Sequence, residues 1–160
     1  MPNWCENHIE IQTHNESLVK EIVSSVKTGK FLEYCSPFPL DEWNYWTAVE
    51  HWGTKWDIDS DQTMVSTESL NNNLIQISIS TCTAWSPPLP ALEVLRNKKD
   101  IVSVQCHYHE MGMRYCGVWR EGIDEYLEYD KDNIHFLENE YLSDYWGLKE
   151  MFEIFDEQEA

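Results

Sequence analysis

The segment Leu74-Ile75-Gln76-Ile77-Ser78-Ile79-Ser80-Thr81-Cys82 constrains the fold more than any other, because isoleucine recurs in it at every second position. Successive side chains of an extended strand point to opposite faces, so this spacing buries Ile75, Ile77 and Ile79 on one side and leaves a hydroxyl-rich row on the other. Such a strand calls for a sheet with one covered face. Two further segments share the period, His8-Ile9-Glu10-Ile11-Gln12 and Ile101 to Glu110. In the second, Val102, Val104, Cys106 and Tyr108 fall on one side and Ser103, Gln105, His107 and His109 on the other.

Between these strands the period changes to that of a helix. Asn15 is placed to cap a helix whose stripe is Leu18, Val19, Ile22, Val23 and Val26, ended by Gly29. Pro87-Pro88 opens another, with Leu89, Leu92 and Leu95, which closes at Lys98-Lys99-Asp100. Residues 31 to 56 are dense in aromatics, and Asp41 is expected to cap a short helix there carrying Trp43, Trp46 and Val49. Trp52 to Asp57 reads as a turn into a strand, Asp57 to Gln62 as a loop, and Met64 to Thr67 as a strand. Met113 to Arg120 and Ile123 to Tyr129 flank Glu121-Gly122 as a hairpin. Leu142, Tyr145, Trp146, Leu148, Met151, Phe152 and Phe155 form a final helical stripe backed by acids.

The order strand, helix, strands, helix, strand predicts an α+β fold, ferredoxin-like (split βαβ), with an antiparallel sheet and helices on one face. To that frame the chain adds the aromatic insertion, the hairpin and the acidic C-terminal helix. The expected division is a ferredoxin-like domain over 1–130 and an acidic helical extension over 131–160 packed on it.

Of the 160 residues, 29 are Asp or Glu and 11 Lys or Arg, a net charge of −18. Such a field repels polyphosphates and anionic membranes, since binding them depends on Lys and Arg displacing counterions. The acid is uneven. Residues 121–160 hold 14 acids against Lys131 and Lys149, a balance of −12. No apolar run approaches membrane-spanning length and the first residues do not read as a signal peptide, so a cytoplasmic location in the host cell is expected. Five widely spaced cysteines without a CxxC pair, Cys5, Cys35, Cys82, Cys106 and Cys116, are expected to be reduced and mostly buried.

Candidate chemistry is sparse. His107 and His109 share one strand face, an arrangement that suits a zinc site if a third ligand joins them, and Cys5 and His8 are the nearest candidates for completing it. Glu110 points the other way. The alternative is a pair of sheet-surface histidines. Ser86 sits in no G-x-S-x-G elbow and the six glycines form no phosphate-cradling loop. No catalytic residue and no cofactor are assigned. Trp4, Trp52, Trp56, Trp85 and Trp119 read first as core aromatics. Trp43, Tyr45 and Trp46, carried on a short insertion, read as exposed contact residues.

Three segments together resemble a known group: Met1-Pro2-Asn3-Trp4-Cys5-Glu6-Asn7; Trp52-Gly53-Thr54-Lys55-Trp56-Asp57 with Thr83-Ala84-Trp85-Ser86-Pro87-Pro88; and Tyr108-His109-Glu110-Met111-Gly112-Met113 with Gly117-Val118-Trp119. They are similar to the phage- and plasmid-borne YubP-like (Api-type) ferredoxin-like domain family. The resemblance spans residues 1 to about 120 and implies a ferredoxin-like fold and a mobile-element origin. It brings no catalytic residues, and the acidic tail departs from it.

The reading that follows is a non-enzymatic, acidic binding protein that docks on a basic host protein, a nucleic-acid-targeting defence factor that it would inhibit in the manner of a nucleic-acid mimic. Glu138, Glu140, Asp144, Glu150, Glu153, Asp156 and Glu157 would carry the contact with Trp43, Tyr45 and Trp46. Two alternatives stand beside it. One is a small metal-dependent enzyme or ligand binder using His107 and His109; the other is a self-associating structural protein.

Overall fold

The computed structural model describes residues 2–38, 41, 43–130 and 139–159, with 154–159 described as backbone only. Six strands form one antiparallel sheet in the order β2-β3-β1-β4-β5-β6. They are β1 (Trp4–Thr13), β2 (Met64–Ser69), β3 (Ile75–Ala84), β4 (Ile101–Glu110), β5 (Tyr115–Arg120) and β6 (Ile123–Glu128). The helices are α1 (Glu16–Lys27), α2 (Phe31–Cys35), α3 (Tyr45–Trp52), α4 (Leu89–Arg96), α5 (Glu140–Trp146) and α6 (Leu148–Glu159). The helical connection after β1 rejoins the sheet with β3 lying between, and the one after β3 rejoins it with β1 between.

The alternating isoleucines do what their spacing dictates. Ile77 and Ile79 of β3 sit opposite Ile11 and Ile9 of β1, and all four are buried. Val104 and Cys106 extend the row across β4. Over this face pack Ile22 and Val26 of α1, Phe31 and Leu32 of α2, Ala48 and Trp52 of α3, and Leu92 and Leu95 of α4. Each large apolar side chain withdrawn from water here contributes roughly 1.5–3 kcal/mol. Asn15 caps α1 as its sequence position predicts, its side chain accepting from the Leu18 N–H at 3.1 Å.

Three local expectations are corrected. The cap of α3 is Asn44, which accepts from the Thr47 N–H at 2.9 Å, and not Asp41, which lies outside the first turn. Residues 52–57 lead into no strand: Gly53, with φ of +82°, ends α3, and Asp57 reaches back to accept from the Leu32 and Glu33 N–H groups at 2.8 and 3.0 Å. Burial raises the Asp57 carboxyl above its ordinary range, with those backbone donors acting against the rise. Val102 is half exposed and does not join the core row, because the β1–β4 register shifts between Gln12 and Thr13 and leaves Val102 unmatched.

Among the described residues, the second face of the sheet is covered at one end only. Beneath α5 and α6, Cys116 and Val118 of β5 and Tyr129 form a small core with Leu142 and Leu148. The single acidic helix expected from the apolar stripe is in fact two, broken where Gly147 takes a left-handed conformation (φ +62°). β5 is therefore buried on both sides. On its other side Gly117 lies under the Tyr108 ring, and a Cβ built there would fall within contact distance of Tyr108 Oη and Cζ and 2.7 Å from the Glu125 carbonyl.

Candidate functional site

Where the tail meets the sheet, three histidines make the contact. His8 on β1 and His107 on β4 are cross-strand partners and His109 lies two residues further along β4, so all three rings leave the sheet on the same face. Each meets a tyrosine hydroxyl: Tyr145 at 2.7 Å from His8 Nδ1, Tyr141 at 2.6 Å from His107 Nε2, and Tyr129 at 2.5 Å from His109 Nε2. Tyr145 stacks on His107 with ring centroids 4.0 Å apart and planes within 10°. Trp146 lies against both His8 and His109, at 4.9 and 5.1 Å.

His107 and His109 are therefore not sheet-surface histidines: they are 4% and 5% exposed, sealed by the tail. Burial lowers both imidazoles, His107 down to about 4 with Arg120 and His8 adding to the effect. At neutral pH both rings are uncharged. Of the two residues expected to complete a metal site, His8 is on this face with both ring nitrogens already bonded, to Tyr145 and to Glu6, and Cys5 is not on it. Cys5 projects from the opposite face of β1 to His8, and Glu110 is buried on that same opposite side, accepting from the Gly112 and Met113 N–H groups at 2.6 and 2.9 Å. Among the described residues no three His, Cys, Asp or Glu side chains gather as a metal site.

Towards β3 and β2 no described residue covers the same face, and its chemistry changes. Cross-strand rows run Ser66, Ser78, Glu10, Gln105, and then Glu68, Gln76, Gln12, Ser103. The Gln12 amide donates to Gln76 Oε1 at 3.0 Å, Ser103 Oγ donates to Gln12 Oε1 at 2.9 Å, and the Gln105 amide donates to Glu10 Oε2. Glu6, Glu10 and Glu68 are the charged residues of β1, β2 and β3, and all three lie on this face. Those strands hold no Lys or Arg. Between the floor and Tyr145 is a concavity of about 700 Å³ lined by Glu10, Met64, Ser66, Ser78, Ser80 and His8. A hollow of similar size between α1 and α2 is lined by Lys20, Lys30, Glu21 and Glu33, charges of both signs.

The residues expected to meet a partner do not form one surface. Trp43, Tyr45 and Trp46 are all exposed, Trp46 to 78%, with Tyr45 and Trp46 packed edge to face at 5.1 Å. They stand beside α4, on the helix-covered side of the sheet. Glu140 and Asp144 of α5 and Glu150 and Glu153 of α6 are exposed on the tail, which covers the other side. Glu138 and the side chains of Asp156 and Glu157 lie outside the described residues.

Of the five tryptophans expected in the core, two are there and three are not. Trp52 and Trp119 are buried, but Trp4, Trp56 and Trp85 are each more than two-fifths exposed. Trp4 and Trp56 lie 6.5 Å apart at the end of the sheet where β1 begins, and the Lys55 ammonium sits over the Trp56 ring. Trp85 has φ of +70°, a costly conformation for a bulky residue, and the Ser86 N–H donates across it to the Ala84 carbonyl at 2.9 Å. The turn is held by Thr83 Oγ donating to the Ser86 carbonyl and Tyr115 Oη to the Trp85 carbonyl.

None of the thiols is poised as a nucleophile. All five cysteines are free and four are buried, and burial pushes Cys5 and Cys116 up to about 12 and raises Cys35, Cys82 and Cys106 as well. Ser86 Oγ donates to the Gly53 carbonyl at 2.5 Å, a structural bond that ties the strained turn to the end of α3. No described helix is long and apolar enough to cross a membrane. Neither a family model, nor a curated protein, nor a solved structure matches the chain.

Proposed function

We propose that this chain is a non-enzymatic binding protein of a mobile element, acting in the host cytoplasm by docking its carboxylates on a basic, nucleic-acid-gripping host protein. The observation that carries the reading is the placement of charge. Every charged residue on β1, β2 and β3 is a glutamate on the uncovered face, and α5 borders that face with Glu140 and Asp144 exposed. Proteins that hold nucleic acid present Lys and Arg in stripes, and a surface of spaced carboxylates complements them. A defence factor whose nucleic-acid site is occupied in this way would be inhibited by competition. The strand order β2-β3-β1-β4 with two helical crossovers supports a ferredoxin-like core, in keeping with the resemblance of residues 1 to about 120 to the YubP-like family.

The face also lacks what a nucleic-acid platform of this shape needs. Stacking aromatics and cations would have to stand on β1 and β3, where the floor beside the groove is Glu10, Gln12, Gln76, Ser78 and Ser80, the His8 ring is already bonded to Tyr145 and Glu6, and Trp4 stands at the far end of β1. Charge reversal of Glu138, Glu140, Asp144, Glu150, Glu153, Asp156 and Glu157 tests the reading, with affinity for the captured host partner measured over a salt series. Wild-type binding should weaken steeply with salt and be displaced by duplex DNA, and the reversed chain should not bind. Unchanged affinity and unchanged salt slope would show the reading to be wrong.

A further inference from the structure

We infer that the concavity between β1, β2, β3 and α5 is a receptor for a guanidinium group, an arginine side chain of the partner. The inference rests on the binding reading above and locates its central contact on the sheet face, not on the outer surface of the tail. The hydrogen-bonding inventory points to this ligand. The floor offers acceptors: the Glu10 carboxylate, whose Oε2 takes one proton from Gln105 and whose second oxygen has no bond to any described residue, with the hydroxyls of Ser66, Ser78 and Ser80 beside it. Among the described residues those three hydroxyls have no protein partner, and no Lys or Arg lines the site. The carboxylate only accepts, and each hydroxyl can accept from a ligand while its own proton turns to water or to Glu10, so a ligand with many donors and a positive charge matches the site.

Guanidinium is that group, with five N–H donors in one plane and no acceptor. Ser66, Ser78 and Glu10 are cross-strand neighbours in a single row, so acceptors recur at the strand spacing of about 4.8 Å, a flat array suited to a planar fork. Met64, 73% exposed at the rim, provides an apolar surface for the methylene stem. The chain already holds one guanidinium against this face in a related manner: Arg120 donates to Tyr141 Oη at 2.9 Å and lies 5.2 Å from its ring. A phosphate or carboxylate ligand would meet Glu6, Glu10 and Glu68 with no cation on these strands to offset them.

The test uses the full chain, isotopically labelled, titrated with agmatine and then with a hexa-arginine peptide. Agmatine should shift the amide signals of Glu10, Ser66, Ser78 and Ser80 saturably. Glu10→Gln, which keeps the shape and the Gln105 contact, should weaken binding about 10-fold, while a Glu150→Gln, Glu153→Gln pair on α6 should leave it unchanged. Shifts that spread without saturation over all acidic surfaces overturn the site, as does an unaltered agmatine affinity in Glu10→Gln. Hexa-arginine separates the two readings. Salt-sensitive binding that depends on the tail acids and leaves the groove signals unmoved removes the site while the wider reading stands; agmatine binding in the groove with no binding of hexa-arginine supports the site and removes the wider reading.

Discussion

One face of the sheet has two halves that follow the same alternation and end in opposite environments. Beneath α5 and α6 the outward residues are His107, His109, Cys116 and Val118, all buried; on the adjoining β1, β3 and β2 they are Glu10, Ser78, Ser80 and Ser66, all at least partly wet. The difference lies in what each row costs to leave exposed. An apolar or aromatic row gains by finding a cover, whereas a row of hydroxyls and a carboxylate that water can satisfy gains nothing. The tail therefore stops where the chemistry changes, at Tyr145, which is shared by both halves: it stacks on His107 and walls the groove.

The comparison breaks most sharply at Gly117. Gly117→Ala drives a methyl into Tyr108 on the helix-covered face and should cost about 3 kcal/mol of global stability, read by chemical denaturation, without freeing the tail first. Leu142→Ala should act on the other half. Removing a fully buried leucine costs about 3 kcal/mol, and here the loss falls on the docking of α5. Thiol labelling checks it, since Cys116 lies under the tail and should become reactive while Cys5, Cys35 and Cys106 stay protected.

Acid provides a milder break. His107 has its folded-state value lowered to about 4 against an ordinary 6.5, so the unfolded or undocked chain binds the proton more readily. The stabilisation from the neutral ring is complete above pH 6.5 and is lost as pH falls towards 4. Cys116 labelling should accelerate over that window, and His107→Phe, which keeps a ring for Tyr145 to stack on, should flatten the dependence. The smallest effects fall outside the tail's contact: Glu10→Gln in the open half and Trp46→Ala on the helix-covered side should each change stability by less than about 0.5 kcal/mol in thermal melts. A loss several times larger at Glu10 would mean that the open half is structural.

How far the sequence could be read follows the range of the interactions. The isoleucine alternation, the Asn15 cap and the strand and helix order are local signals, and the sheet and α1 emerge from them directly. Capping by Asp57 joins residues 25 positions apart, and α2, which it starts, has no signature of its own. Within β4 the period distinguishes the faces but not their fates. It placed His107 and His109 opposite the core, and it could not show that Tyr141, Tyr145 and Trp146, more than thirty residues on, would close over them. The one available hint was that the tail's stripe is rich in rings bearing hydroxyl or N–H groups, which suit histidine partners better than aliphatic ones. The groove had a fainter signal still: the charges of β1, β2 and β3 are all glutamates at positions of one parity, visible only once the register is known.

Among the described residues the sheet has two open ladders, along β2 and along β6, each six residues long. Unpaired strand edges are templates on which further copies can add, and the usual safeguard is a short strand with charge on it. β6 carries Asp124, Glu125 and Glu128, and β2 carries Glu68, so a second copy aligned on either edge brings carboxylate against carboxylate. The same surplus of acid thus guards against fibrillar growth at high concentration, a protection that neutralising β6 would remove before it disturbed the fold.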